Sequence, residues 1–185
     1  MTNYKYNSAD NHIDQRWIPA KLWQDRVAEK FRTAAPKVVE NNGVWVWEWE
    51  GRVFSGRDGG AADSPDNRKA LEDYYGEYAN DIPDGALPPA DPDIILKHMD
   101  MAGIWAYVGY ASVRKWEIHD RALRHEVHRV YNDWMMELNT VNPDRLLMLP
   151  IMPVFEPEAA VAELERMKKS GCKAIEFPVA DMAEE

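Results

Sequence analysis

Asp10 and His12 stand two residues apart in a stretch, Tyr6 to Ile13, whose composition reads as a short strand. Alternate side chains of a strand share a face, so one carboxylate and one imidazole are presented side by side. Oxygen and nitrogen donors of this kind suit a divalent ion such as zinc or manganese. Such an ion takes three or four protein ligands, and no second cluster of ligating residues recurs along the chain. The expectation is therefore the first pair of a metal site. The plainer alternative for the same residues is a hydrogen-bonded pair at a strand end.

Other candidates are weaker. Tyr110 and Phe177 fall near the C-terminal ends of two further apolar runs, where parallel α/β folds form their pockets, and are expected to line a substrate site or to pack in the core. His125 and His128 are three apart on a helical segment, a spacing that can chelate. Arg121, Arg124 and Arg129 make that patch cationic, however, which opposes a metal and predicts a solvated face. His98 reads as a partly buried structural residue, Asn132-Asp133 as helix packing and capping, and Cys172 as an inert small hydrophobe.

The elements that must position these residues follow from Asp91 onward. Asp91-Pro92 is an N-cap and first helical position, and Ile94, Ile95, His98 and Met99 keep helical spacing until Gly103. Ile104 to Tyr110 reads as a buried strand, and Ile118 to Leu138 as a long amphipathic helix carrying Ala122, Leu123, Val127, Val130, Tyr131, Trp134 and Leu138 on one face. Arg145 to Pro150 reads as a strand, Pro157 to Lys169 as a helix closed by Ser170-Gly171, and Cys172 to Pro178 as a strand. Alternating strands and helices with apolar strands predict an α/β fold with a parallel sheet. A doubly wound sheet and a (β/α)8 barrel share that pattern; the lack of a glycine-rich phosphate loop weakens the nucleotide-binding version.

Residues 17–92 differ in kind and read as an irregular insertion after the first strand. Gln24 to Phe31 is expected to form a short helix, with Pro36 beyond its end. Val44 to Glu50 alternates and is followed by Gly51-Arg52-Val53-Phe54, a hairpin turning at Glu50-Gly51. Trp45, Trp47 and Trp49 share one face of it and must be covered, because three aligned indoles are too apolar to leave wet. Ser55 to Pro92, dense in Gly, Pro and Asp, reads as a long loop with one turn of helix around Arg68 to Tyr75.

Composition narrows the class. The chain has 185 residues and a net charge of −10. With no basic stripe, neither nucleic acid nor an anionic membrane is an expected partner. Cys172 is the single cysteine, so no intramolecular disulfide forms. The N-terminal residues lack the apolar core of a signal peptide, and a cytoplasmic protein is expected.

Several runs together resemble a known family. Ser8-Ala9-Asp10-Asn11-His12-Ile13, His98-Met99-Asp100-Met101-Ala102-Gly103-Ile104 and Val130-Tyr131-Asn132-Asp133-Trp134 occur in order. Asn142-Pro143-Asp144-Arg145-Leu146 with Leu149-Pro150, Pro157-Glu158-Ala159-Ala160-Val161 and Gly171-Cys172-Lys173-Ala174-Ile175 follow. They resemble the amidohydrolase-related metal-dependent hydrolases, in the branch of aminocarboxymuconate-semialdehyde decarboxylase and γ-resorcylate decarboxylase. The resemblance implies a (β/α)8 barrel with a divalent metal, zinc or manganese, at the C-terminal mouth. It matches Asp10 and His12 to the metal pair of the first strand. It also implies hydrolysis or decarboxylation of a small carboxylate or amide.

A (β/α)8 barrel needs roughly 200 residues or more, whereas the regular part here supplies four strands: Tyr6 to Ile13, Ile104 to Tyr110, Arg145 to Pro150 and Cys172 to Pro178. The expectation is a partial barrel over residues 1–185, the N-terminal half with about four βα units. The family's remaining ligands would then lie beyond Glu185, and metal binding by this chain alone would be weak or absent. Ile13, Ile104 and Leu147 would lose their opposing core. A homo-oligomer or a complementary C-terminal half is the expected partner, besides a small-molecule substrate. The alternative is a non-catalytic remnant or subunit that binds a complementary barrel half.

Overall fold

The computed structural model describes residues 6–13, 15–42, 44–54 and 91–178. The loop expected over Ser55 to Pro92, with its turn of helix around Arg68 to Tyr75, lies outside them except for its last two residues. In order the elements are β1 (Tyr6–His12), α1 (Leu22–Arg26), β2 (Lys37–Asn41), β3 (Val44–Trp49), β4 (Arg52–Val53), α2 (Pro92–Ala102), β5 (Ile104–Tyr110), α3 (Arg121–Val141), β6 (Leu146–Met148) and α4 (Pro157–Lys169). They fall into two compact units, one running from Ile13 to His98, the other made of the residues before and after that stretch.

In the first of these units β2, β3 and β4 form an antiparallel sheet in that order. The turn between β3 and β4 falls at Glu50-Gly51, as expected, with φ of +50° and +70°. Positive φ at both central residues is the backbone of a type I′ hairpin turn, whose twist matches its strands. Trp47 is fully buried and Trp49 nearly so. The Trp47 indole donates to the Gln15 carbonyl at 3.0 Å and meets Trp23 edge-on at 5.4 Å. Trp47 and Trp49 are therefore packed against residues of their own unit, Trp49 against Phe54, while Trp45 is half-buried.

Two expectations change here. The helix expected from Gln24 to Phe31 is α1 followed by a 3-10 turn at Glu29–Phe31, because Val27 adopts an extended conformation between them. Gln24 bridges the break, its amide donating to the carbonyls of Arg32, Ala35 and Pro36. The strand β2 had no counterpart in the sequence reading, although Asn42-Gly43 between β2 and β3 is the commonest dipeptide of tight hairpins.

In the other unit β1, β5 and β6 pair in parallel, in that order. A fourth position follows at Ile151, which bridges in parallel to Glu176. Each new strand adds to the same side, the progression of a barrel; a doubly wound sheet would reverse its order. α3 connects β5 to β6. Its start is set by Asp120, whose carboxylate accepts from the N–H groups of Ala122 and Leu123 at 2.8 and 3.1 Å, three residues later than the hydrophobic pattern alone suggested. Leu123, Val127, Val130, Tyr131, Trp134, Met135 and Leu138 form its buried face, while Ala122, expected there, is exposed.

The fourth strand, expected over Cys172 to Pro178, is reduced to one bridge. Leu149 donates to the Gly109 carbonyl, so the backbone groups of Met148 point to the other edge of β6. There the Asn139 side chain accepts from the Met148 N–H and donates to its carbonyl, occupying the place of a paired strand. Pairing begins beyond it: Glu176 N–H donates to the Pro150 carbonyl at 2.8 Å, and Met152 N–H to the Glu176 carbonyl at 3.0 Å.

At the opposite end, buried Arg145 donates to the carbonyls of Ile104 and Trp105 and pairs with Asp100 at 2.8 Å. It pins the start of β6 to the start of β5. Of the residues expected to lose their core, Ile104 and Leu147 are half-buried, whereas Ile13 is buried. No helix among the described residues is long and apolar enough to cross a membrane.

Candidate functional site

The C-terminal ends of β1 and β5 bring the sequence candidates together in part. His12 and Tyr110 are register partners, as are Asn11 and Gly109. Neighbouring residues of a parallel pair lie side by side, so Tyr110 stands next to the expected metal pair. Between Ser8, opposite Tyr107, and Asn11, opposite Gly109, three steps along β1 face two along β5. This irregularity holds Ala9 and Asp10 and is closed by Asn11. The Ser8 hydroxyl donates to the Asn11 side chain at 2.9 Å, and the Asn11 amide donates to the carbonyls of Ser8 and Val108 at 3.0 and 3.1 Å. Bulges of this kind re-aim side chains beside sites. Asp10 and His12 are both exposed, flanking half-buried Asn11.

One carboxylate and one imidazole suit zinc or manganese in chemistry and fall short in number. Among the described residues no group of three or more His, Cys, Asp or Glu side chains converges on one point. A tightly held ion therefore does not fit the described residues alone.

Glu176, which carries no distinctive motif in the sequence, shapes the same edge. Glu176 is buried; one of its carboxylate oxygens accepts from the Ala111 N–H at 2.7 Å, the other from Arg114 at 3.3 Å. The next N–H, of Ser112, donates to the Tyr131 hydroxyl at 3.2 Å. Burial, the largest influence, raises the Tyr131 hydroxyl well above its ordinary pKa. The turn Ser112–Lys115, just after β5, is thus latched to the bridge at Glu176 and to α3. The sequence signal was a lone carboxylate in an otherwise apolar run, Ala174 to Pro178.

Phe177 lies elsewhere. With Ile175, two residues before it, it lines an apolar pocket of about 240 Å³ together with Val161 and Leu164 of α4. Strand alternation places Glu176 on the opposite face from these two. Phe177 is half exposed against α4, and Tyr110 does not share its pocket.

The expected solvated histidine face on α3 is corrected by the structure. His128 is buried against the Phe155 ring, with ring centroids 6.0 Å apart. Burial, then the nearby charges of Arg124 and His125, push its pKa down to about 3. His125 stacks on Phe155 at 4.8 Å and pairs with the Glu156 carboxylate, and Arg124 lies 4.1 Å over the same ring. The turn at Phe155-Glu156 covers what the helix periodicity left open.

No family model and no curated protein sequence matches this chain. Among solved structures it is similar to an amidohydrolase from Mycobacterium avium subsp. paratuberculosis, at 19% identity and a TM-score of 0.68, over 95% of this chain and 49% of the other. It is also similar to 2,6-dihydroxybenzoate decarboxylase in complex with 2,6-dihydroxybenzoate and to that enzyme from Rhizobium. Each is 26% identical with a TM-score of 0.43, over 60% of this chain and 35% and 34% of theirs. The chain spans about half the length of the first of these structures. It has the fold of a partial (β/α)8 barrel.

Proposed function

We propose that this chain belongs to the amidohydrolase-related metal-dependent hydrolases and supplies the first pair of their metal ligands. The activity is hydrolysis or decarboxylation of a small carboxylate or amide. Asp10 and His12 contribute one carboxylate and one imidazole to a zinc or manganese ion, and Tyr110 forms the adjoining wall. A complementary barrel half, from a second copy or a separate chain, completes the ligand set. The observation that carries this reading is the exposure of Asp10 and His12 at the C-terminal end of β1, beside Tyr110, in a partial barrel fold. The catalytic face of such barrels is the face where the strands end. The ordered runs of resembling sequence support the same family.

The test is metal titration of the purified chain. Two ligands in place of four forfeit most of the coordination energy, so dialysis is expected to strip zinc, and added cobalt is expected to bind weakly. His12→Ala abolishes that binding and His125→Ala leaves it intact. Cobalt binding indifferent to both His12→Ala and Asp10→Ala would end the proposal. A second reading, a non-catalytic subunit that keeps the scaffold, is favoured by the lack of a third ligand among the described residues. Hydrolysis or carbon dioxide release by the metal-loaded assembly would exclude it.

A further inference from the structure

We propose that Arg114 is the anion-recognising residue of this site, held in position by Glu176, and that it takes the substrate carboxylate. The inference rests on the reading above, in which the substrate is a small carboxylate, and names the group that binds it.

The pair is unevenly buried. The Glu176 side chain is 5% exposed and the Arg114 side chain 47%. Other arginines of this unit are less exposed and more fully bonded: Arg129 is 39% exposed and Arg166 33%, each held by two acidic side chains. Arg145 is 9% exposed, with its donors engaged by two carbonyls and Asp100. Arg166 is engaged by Glu163, Asp133 and the Arg129 carbonyl. Among the described residues Arg114 makes a single bond, through one terminal nitrogen. A guanidinium has five N–H donors in a rigid fork, so most of this fork faces solvent.

Its base is fixed all the same. The carboxylate that holds it is itself tied to the Ala111 N–H, and the Ser112 N–H is tied to Tyr131. Two successive backbone bonds thus anchor the turn that carries Arg114. That turn begins two residues after Tyr110, the register partner of His12. A planar cation with a fixed stem and an open fork matches a carboxylate through two parallel hydrogen bonds. Glu176 offsets part of its charge, which keeps the affinity modest and leaves recognition to geometry.

The experiment titrates the purified chain with benzoate, followed by amide chemical shifts, with inorganic phosphate as competitor and thermal melting as the control for folding. Saturable binding is expected, weakened about tenfold or more in Arg114→Ala, the scale of one lost bidentate pair. Arg114→Lys is expected to weaken it by a smaller factor, with melting unchanged in both. Glu176→Gln should weaken benzoate binding as well, through loss of positioning, and full rescue by that variant is not expected. Unaltered benzoate affinity in Arg114→Ala, or phosphate competing as strongly as benzoate, would overturn the proposal. Cobalt titration of the same samples separates this result from the metal reading. Benzoate binding lost in Arg114→Ala but cobalt indifferent to His12→Ala leaves the anion site standing without the metal. The reverse pattern removes the anion site alone.

Discussion

Asn132 and Asn139, two helical turns apart on α3, make the same clamp on two points of the third strand. Asn139 donates to the Met148 carbonyl at 2.9 Å and accepts from its N–H at 2.7 Å. Asn132 donates to the Ile151 carbonyl at 3.0 Å and accepts from its N–H at 2.8 Å. Pro150 and Met152 pair with Glu176, so the groups of Ile151 face the β5 side, just past the end of that strand. One asparagine stands in for a strand that has stopped, the other for a strand that has not begun.

Replacing either asparagine by leucine leaves a backbone donor and acceptor without partners in a buried place. Each such group costs about 1–3 kcal/mol, so Asn132→Leu and Asn139→Leu are each expected to lose several kcal/mol in urea unfolding. Asn132→Asp should be worse than Asn139→Asp, because Asn132 also donates to Glu163 at 2.6 Å and a second carboxylate there would repel it. Equal losses for the two aspartate variants would contradict this.

Gly109 has room for a hydrogen and nothing larger. A Cβ there would lie 2.5 Å from the Met148 sulfur and 3.1 Å from the Tyr107 ring. Met148 is fully buried, so it cannot swing aside. Gly109→Ala should cost about 1–3 kcal/mol by overpacking, and Met148→Ala in the same chain should recover part of it. A fully stable Gly109→Ala single variant would show that the strand pair is looser than described.

Acid should weaken the fold through His128. Its folded pKa is about 3 against an ordinary 6.5, so the unfolded chain takes up the proton first. Stability held above pH 6.5 is therefore lost as the pH falls toward 3. Between pH 6.5 and 5 the loss should approach roughly 2 kcal/mol at 1.36 kcal/mol per unit. Arg124 and His125 face the same ring and push in the same direction, while Glu156 is paired with His125. Chemical denaturation at several pH values should show this slope, and His128→Leu should flatten it.

Tryptophan fluorescence should divide into two classes. Trp17, Trp23, Trp47, Trp49, Trp116 and Trp134 are buried, whereas Trp45 is half-buried and Trp105 is 44% exposed. Iodide should quench a minor fraction that shrinks in Trp105→Phe. Uniform quenching of all the indoles would mean that the hairpin face is not covered. Trp47→Ala, which empties the contact with Trp23, should cost about 3–5 kcal/mol.

The proposed assembly predicts that the chain sediments at micromolar concentration as a dimer or larger species. β1 stands at the edge of the described sheet, and its side chains are exposed or half-buried along its whole length. A two-fold pairing of halves is the commonest closure for identical chains. A compact monomer would remove the second copy from the proposal.

Much of the frame was legible because its signals are local. Ile104–Tyr110 and Pro157–Lys169 were bounded correctly, by Gly103 and by Pro157 with Ser170-Gly171. Period two suggested the pairing of Asp10 with His12, but not the irregularity between Ser8 and Asn11 in which Asp10 sits. What the sequence hid depends on distant partners. Glu176 looked like one residue of an apolar strand until Ala111 and Arg114 arrived from far along the chain. His128 looked solvated until Phe155 covered it. The shortfall of the fourth strand could not be read either, because its cause is a side chain on α3 that occupies Met148.

The polarity of β1 has one more consequence. An edge strand with free backbone groups is a template on which foreign strands can add, and proteins guard such edges with charged and strongly hydrated side chains. Asn7, Ser8, Asp10, Asn11 and His12 give this edge that guard. The residues proposed as metal ligands are therefore also among those that keep the strand from seeding aggregates. Exchanging Asp10 and His12 for valine would remove the proposed ligand pair and open the edge to fibril growth in the same step.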